Sequence, residues 1–176
     1  MPENLLAQTV RDRIRDVPDY PAPGILFKDI TPLLADGAAF AQVVEGFAEP
    51  VRGAVDVVVG IEARGFILAA PVAVALGVGF VPIRKAGKLP HTTVGAAYAL
   101  EYGTAEIEVH TDGIQPGQRV LVVDDVLATG GTAAAACDLV ERVGGTVSGL
   151  SVLLELTFLG GRERLGGREL RALVSL

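Results

Sequence analysis

At 176 residues the chain is long enough for one domain with a substantial hydrophobic core. Half of it is hydrophobic and a fifth charged, which excludes the disordered and fibrous classes. A net charge of -6 excludes the broad basic face that a nucleic-acid backbone requires, and a lone cysteine, Cys137, excludes an internal disulfide or a cysteine metal site.

In chain order, residues 3–16 read as an amphipathic helix that is too charged to be a signal peptide, so a reducing cytoplasm is expected. "DYPAPGILFKDITPLLAD" follows as a long proline-punctuated loop. A helix is expected over 38–50, then an apolar strand ending at Gly60 and a charged loop, "IEARG". Residues 65–83 carry no charge until Arg84 and are long enough to span a bilayer. Pro71, Pro82, Gly77 and Gly79 instead divide them into a buried helix over 66–76 and a buried strand over 79–84. A basic loop, "RKAGK", precedes two strand-like pieces joined near Tyr102–Gly103, with Gly95 and Gly103 as candidate hinges of a lid over about 85–108. A turn, "DGIQPGQ", leads to the strand "RVLVVDD", a helix over 130–143 and the buried strand "TVSGLSVLLEL". Strands that are apolar throughout and alternate with helices indicate one α/β domain with a mainly parallel sheet covered on both faces.

The most informative stretch is "VLVVDDVLATGGT", residues 120–132. In such sheets ligands bind beyond the carboxyl ends of the strands. Glycines there let backbone N–H groups approach a ligand, and the following helix N-terminus favours an anion. Ala128, Thr129, Gly130, Gly131 and Thr132 therefore form a candidate cradle for one phosphate. Asp124 and Asp125 repel a bare phosphate and call for sugar hydroxyls or Mg²⁺. Two carboxylates beside one cradle describe a site for a ribose 5-phosphate. The competing reading makes Asp125 a helix cap and Asp124 a solvated strand end, which leaves the glycine–threonine segment unexplained. No P-loop occurs, Pro82 breaks the dinucleotide fingerprint in "GVGFVP", and too little chain follows "LVVDD" for a receiver domain.

This segment closely resembles the phosphoribosyl-pyrophosphate (PRPP) signature of type I phosphoribosyltransferases. "PDYPAPGILFKDITPLL", "EARGF", "VPIRKAGKLP" and "YALEYGTAEIEVH" are similar, in the same order, to the adenine-specific members of that family. The resemblance implies the family fold with a small N-terminal hood, about residues 14–36, over the base site. It implies transfer of the phosphoribosyl group of PRPP to adenine, giving AMP and pyrophosphate, with Mg²⁺ required and held mainly through PRPP, in a homodimer. Arg64, Lys85 and Lys88 then contact the pyrophosphate, where guanidinium forks and mobile ammonium groups suit phosphate oxygens. Arg84 reaches toward the partner's site. Phe27 stacks on the base, Leu26 and Lys28 lie at its edge, and Val126 forms the opposite wall. Arg and Leu are common in the family where this chain has Lys28 and Val126, so base contact at Lys28 is expected through the backbone. Glu101, in "LEYG", is the expected general base or electrostatic stabiliser. His91 is read as a solvated loop residue and Cys137 as a buried small hydrophobe. Two alternatives stay open: a 6-oxopurine phosphoribosyltransferase, and a PRPP-sensing regulator that has lost catalysis.

Overall fold

The computed structural model of the chain describes residues 3–99 and 104–176. Five helices are present among them: α1 (Glu3–Arg11), α2 (Thr31–Ala35), α3 (Gly37–Ala48), α4 (Arg64–Leu76) and α5 (Gly131–Arg142). The strands are β1 (Arg15–Pro18), β2 (Leu26–Asp29), β3 (Val57–Ile61), β4 (Gly79–Lys85), β5 (Thr93–Ala99), β6 (Thr104–His110), β7 (Arg119–Leu127), β8 (Thr146–Glu155) and β9 (Leu170–Ser175). Seven of them form one sheet in the order β5-β6-β4-β3-β7-β8-β9, and β1 and β2 form a separate antiparallel pair. From β4 to β9 every pairing is parallel, while β6 runs antiparallel to β4 and β5.

The apolar run in β3 is buried at all of its positions because both faces of the sheet are covered. Val57, Val59 and Ile61 join Val120 and Val122 of β7 in a core under α5. Val58, Leu121 and Val123 face the opposite core, shared with α1, α3 and α4. The strand period of two therefore feeds two cores from one sequence run.

The uncharged run over residues 65–83 divides where the glycines predict. α4 ends at Gly77, whose φ of 70° suits a residue without a Cβ, and β4 begins at Gly79. Among the described residues no helix is long and apolar enough to cross a membrane.

Three expectations are corrected. The first helix stops at Arg11 rather than continuing to residue 16, because Arg15–Pro18 pairs with Leu26–Asp29. The segment expected to be a loop contains that second strand and the short helix α2. Residues 170–175 form the edge strand β9, which the sequence reading lacked. Gly95, a candidate hinge, sits inside β5 opposite Glu108.

β3 and β7 are neighbours, yet the chain leaves them in opposite directions. β3 continues through α4 to β4, and β7 through α5 to β8. This is a topological switch point, and a crevice opens there beyond the strand ends.

Candidate active site

The crevice is a cavity of about 520 Å³. Its walls come from the β2 hairpin, the β3–α4 junction, the end of β4, β5 and the β7–α5 junction. Of the expected site residues, Leu26, Phe27, Lys28, Arg64, Lys85, Asp124, Asp125, Val126, Ala128 and Thr132 all line it. Segments far apart in sequence are thus brought to one place.

At the sheet end, Asp124 and Asp125 close β7. Asp125 is buried, and its Oδ2 lies 2.9 Å from Arg64 Nε. That ion pair lacks hydrogen-bond alignment, so among the described residues Asp125 Oδ2 has no hydrogen-bond donor. Asp125 N–H donates to Asp124 Oδ1 at 2.8 Å. Burial, and then the neighbouring Asp125 carboxylate, push the Asp124 carboxyl well above the usual range. Neither residue caps the helix, since Gly130 holds the cap position of α5 with φ 81°. Gly65 makes this proximity possible: a Cβ there would meet Asp124 Oδ1 and the Val123 carbonyl.

The cradle is the turn from β7 into α5. Thr129 is exposed and Thr132 half-buried. Gly130 packs against Gly161, in a short helical segment (Gly161–Leu165) that backs the turn. That segment is fastened by Arg162, which donates to both oxygens of the buried Glu155 at 2.9 and 2.6 Å and to the Leu170 carbonyl at 3.2 Å.

The hood side is aromatic. Phe27 meets the edge of Tyr20 with ring centroids 5.1 Å apart, and the Arg64 guanidinium lies 4.8 Å from the Phe27 centroid. Arg64 therefore bridges the aromatic hood and Asp125. The Lys28 ammonium is paired with Asp16 at 2.7 Å, and Lys28 is one of the residues on the cavity wall.

The basic loop is organised by two carboxylates that sequence reasoning passed over. Glu62 accepts from Arg84 Nε at 3.1 Å, Lys88 Nζ at 3.1 Å and Lys85 N–H at 3.0 Å. Burial opposes its ionisation, but these donors outweigh it and hold the Glu62 carboxyl below its usual range. Arg84 also donates to the Lys88 carbonyl of its own loop at 3.1 Å. Glu108, buried in β6, accepts from the N–H groups of Lys88 and Leu89 and from the Thr93 hydroxyl. Tyr98, Leu156 and Leu159 also line the cavity, and their sequence context carried no signal.

Glu101, Tyr102 and Gly103 lie outside the described residues. His91 is exposed, with its ring 6.3 Å from that of His110, and Cys137 is buried as expected.

The phosphoribosyl transferase domain family matches residues 33–162, which contain the cradle, both aspartates and the basic loop. The chain belongs to the phosphoribosyltransferase family. It is 62% identical over 170 residues to the adenine phosphoribosyltransferase of Thermobifida fusca, covering 96% of this chain and 97% of that one. The crystal structure of the Thermoanaerobacter pseudethanolicus adenine phosphoribosyltransferase superposes with a TM-score of 0.94 at 48% identity, over 97% of this chain and 99% of that one. The Saccharomyces cerevisiae enzyme, crystallised with adenine and an imino-altritol bisphosphate, superposes with a TM-score of 0.93 at 38% identity, covering 97% and 99%. As in other phosphoribosyltransferases with the type I fold, a mostly parallel sheet positions the crevice.

Proposed function

We propose that this phosphoribosyltransferase carries out purine salvage, joining adenine to the phosphoribosyl group of PRPP to give AMP and pyrophosphate. The observation that carries the reading is the single cavity uniting an aromatic hood, paired aspartates and the two ends of the cradle, Ala128 and Thr132. The likeness to adenine phosphoribosyltransferases over almost the whole chain supports adenine as the base.

Each wall then has a task. The cradle of Ala128–Thr132 takes the 5-phosphate, with α5 behind it supplying the positive end of its dipole. Asp124 and Asp125 accept hydrogen bonds from the ribose hydroxyls. Phe27 stacks on adenine, the backbone of Leu26 and Lys28 meets its edge, and Val126 closes the other side. Arg64, Lys85 and Lys88, with Arg84 beside them, draw the pyrophosphate away from C1. The C1–O bond breaks with its electron pair leaving on pyrophosphate. A ring nitrogen of adenine bonds to C1 and gives up its proton, which we assign to Glu101. Residues 85–108 act as a lid that excludes water from a donor prone to hydrolysis.

Magnesium is part of this reading. Among the described residues no group of three or more His, Cys, Asp or Glu forms a metal cage. Paired carboxylates, one with a buried oxygen that receives no hydrogen bond, fit an ion that keeps its waters and takes most ligands from substrate phosphates. Asp124 and Asp125 would help hold Mg²⁺, which would supply charge neutralisation on the diphosphate.

We also propose a homodimer working in the cytoplasm. Ile67 and Val74 stand 43% and 81% exposed on α4 and offer an apolar face to a second copy. The lone thiol suits a reducing compartment.

The deciding experiment is AMP formation from adenine, PRPP and Mg²⁺, with hypoxanthine and guanine in parallel. Adenine-only turnover is expected. Equal or better use of hypoxanthine would overturn the choice of base, and PRPP binding without turnover on any base would point to a sensor.

A further inference from the structure

Three donors from the basic loop converge on one carboxylate. Glu62 is only 10% exposed at its side chain, lines the cavity, and binds Arg84, Lys88 and the Lys85 N–H at once. Unlike Asp124 and Asp125, which face the ribose in this reading, Glu62 sits among the cations meant for the diphosphate, where its charge opposes that anion. We propose that Glu62 is an internal competitor for the diphosphate: it occupies the Arg84 and Lys88 cations in the free protein and weakens their hold on pyrophosphate. This inference rests on the reading of the basic loop given under Proposed function.

Two features separate this role from a merely structural one. The shape of the loop is held independently by Glu108, through the N–H groups of Lys88 and Leu89 at 3.0 and 2.9 Å. Loss of charge at Glu62 therefore leaves the main chain of the loop anchored. In addition, the Lys88 side chain is 49% exposed, so its contact with Glu62 is the weak, exchangeable kind of ion pair. Lys88 can transfer to an incoming diphosphate while Arg84 and the Lys85 N–H stay on Glu62. The Glu62 carboxylate, on the cavity wall and 10% exposed, opposes a polyanion through a partly water-excluded medium, where charges interact more strongly than in bulk water.

The test is calorimetric titration of inorganic pyrophosphate, with Mg²⁺ present, into the wild-type protein, Glu62→Gln, Lys88→Ala and the double variant. Glu62→Gln is expected to bind pyrophosphate at least about fivefold more tightly. That gain is expected to shrink in the Lys88→Ala background, because the two residues share the interaction. Unchanged or weaker binding, or a gain independent of Lys88, overturns the proposal. Should Glu62→Gln fail to fold by circular dichroism, carboxyl ¹³C NMR of the wild-type protein replaces it. The Glu62 resonance is expected to move on addition of pyrophosphate, and an unmoved resonance overturns the idea. If the wild-type protein makes AMP and binds pyrophosphate but Glu62→Gln binds no tighter, this inference alone falls. If it does neither, the functional reading falls and takes this inference with it.

Discussion

Gly130 and Gly161 meet backbone to backbone: a Cβ on Gly130 would strike the Gly161 carbonyl, and one on Gly161 the Ala128 carbonyl. Main chain cannot yield as a flexible side chain does. Gly130 also holds φ 81°. Gly130→Ala is thus expected to lose about 1–3 kcal/mol of stability and to weaken PRPP binding more than adenine binding. Thermal unfolding and separate KM values for the two substrates check this.

Glu101→Gln is expected to lower kcat by roughly 10²–10⁴-fold with a much smaller change in PRPP affinity. Steady-state kinetics beside PRPP titration separates the two effects. An unchanged kcat would remove Glu101 from the chemistry.

The aspartate pair carries a conflict between stability and binding. Burial and the adjacent Asp125 disfavour the charged form of Asp124, so its carboxylate is a cost to the free protein. Asparagine keeps an oxygen for the Asp125 N–H, which Asp124 Oδ1 now accepts. Asp124→Asn is expected to raise Tm by about 2–4 °C while weakening PRPP binding. A fall in Tm would refute the strain assigned to the pair.

Asp56 takes both forks of Arg119, at 2.8 and 3.0 Å, and its carboxyl is lowered to about 2, first by the side-chain hydrogen bond and then by the Arg119 N–H. A depressed folded-state value means that the contribution is complete above the unfolded value and is lost as pH falls through the folded one. Asp56→Asn is expected to be less stable at neutral pH, with the difference from wild type closing between about pH 4 and pH 2. Denaturant unfolding across that range measures it.

Cys137 lies wholly buried in α5, and burial pushes its thiol up to about 12. It is expected to resist a thiol reagent in the native protein and to react fully in denaturant. Rapid native labelling at neutral pH would contradict the packing.

The legible parts of the sequence were those where one physical signal dominated. The fully buried strands β3 and β7 announced themselves by apolar runs, and α5 by its glycine start. β1 and β2 did not, because they are four residues each, too short for a clear pattern, and they exist by pairing with each other. Glu62 and Glu108 read as ordinary charges, since a carboxylate's role in anchoring a loop depends on donors more than twenty residues away in some cases and is set only by the folded sheet. Leu156 looked like the tail of a strand and Leu159 stood outside every expected element, yet the turn of chain after β8 brings both to the cavity.

The crevice takes its walls from near residue 25 to near residue 159, so no contiguous fragment holds more than a part of it. Most of its contacts must wait for strands distant in sequence to find their register, a slow class of assembly. A substrate able to bind only the finished crevice will therefore act as a ligand of the whole cooperative unit. It should retard global unfolding and protect amides deep in β3 and β7 as well as those at the cavity rim.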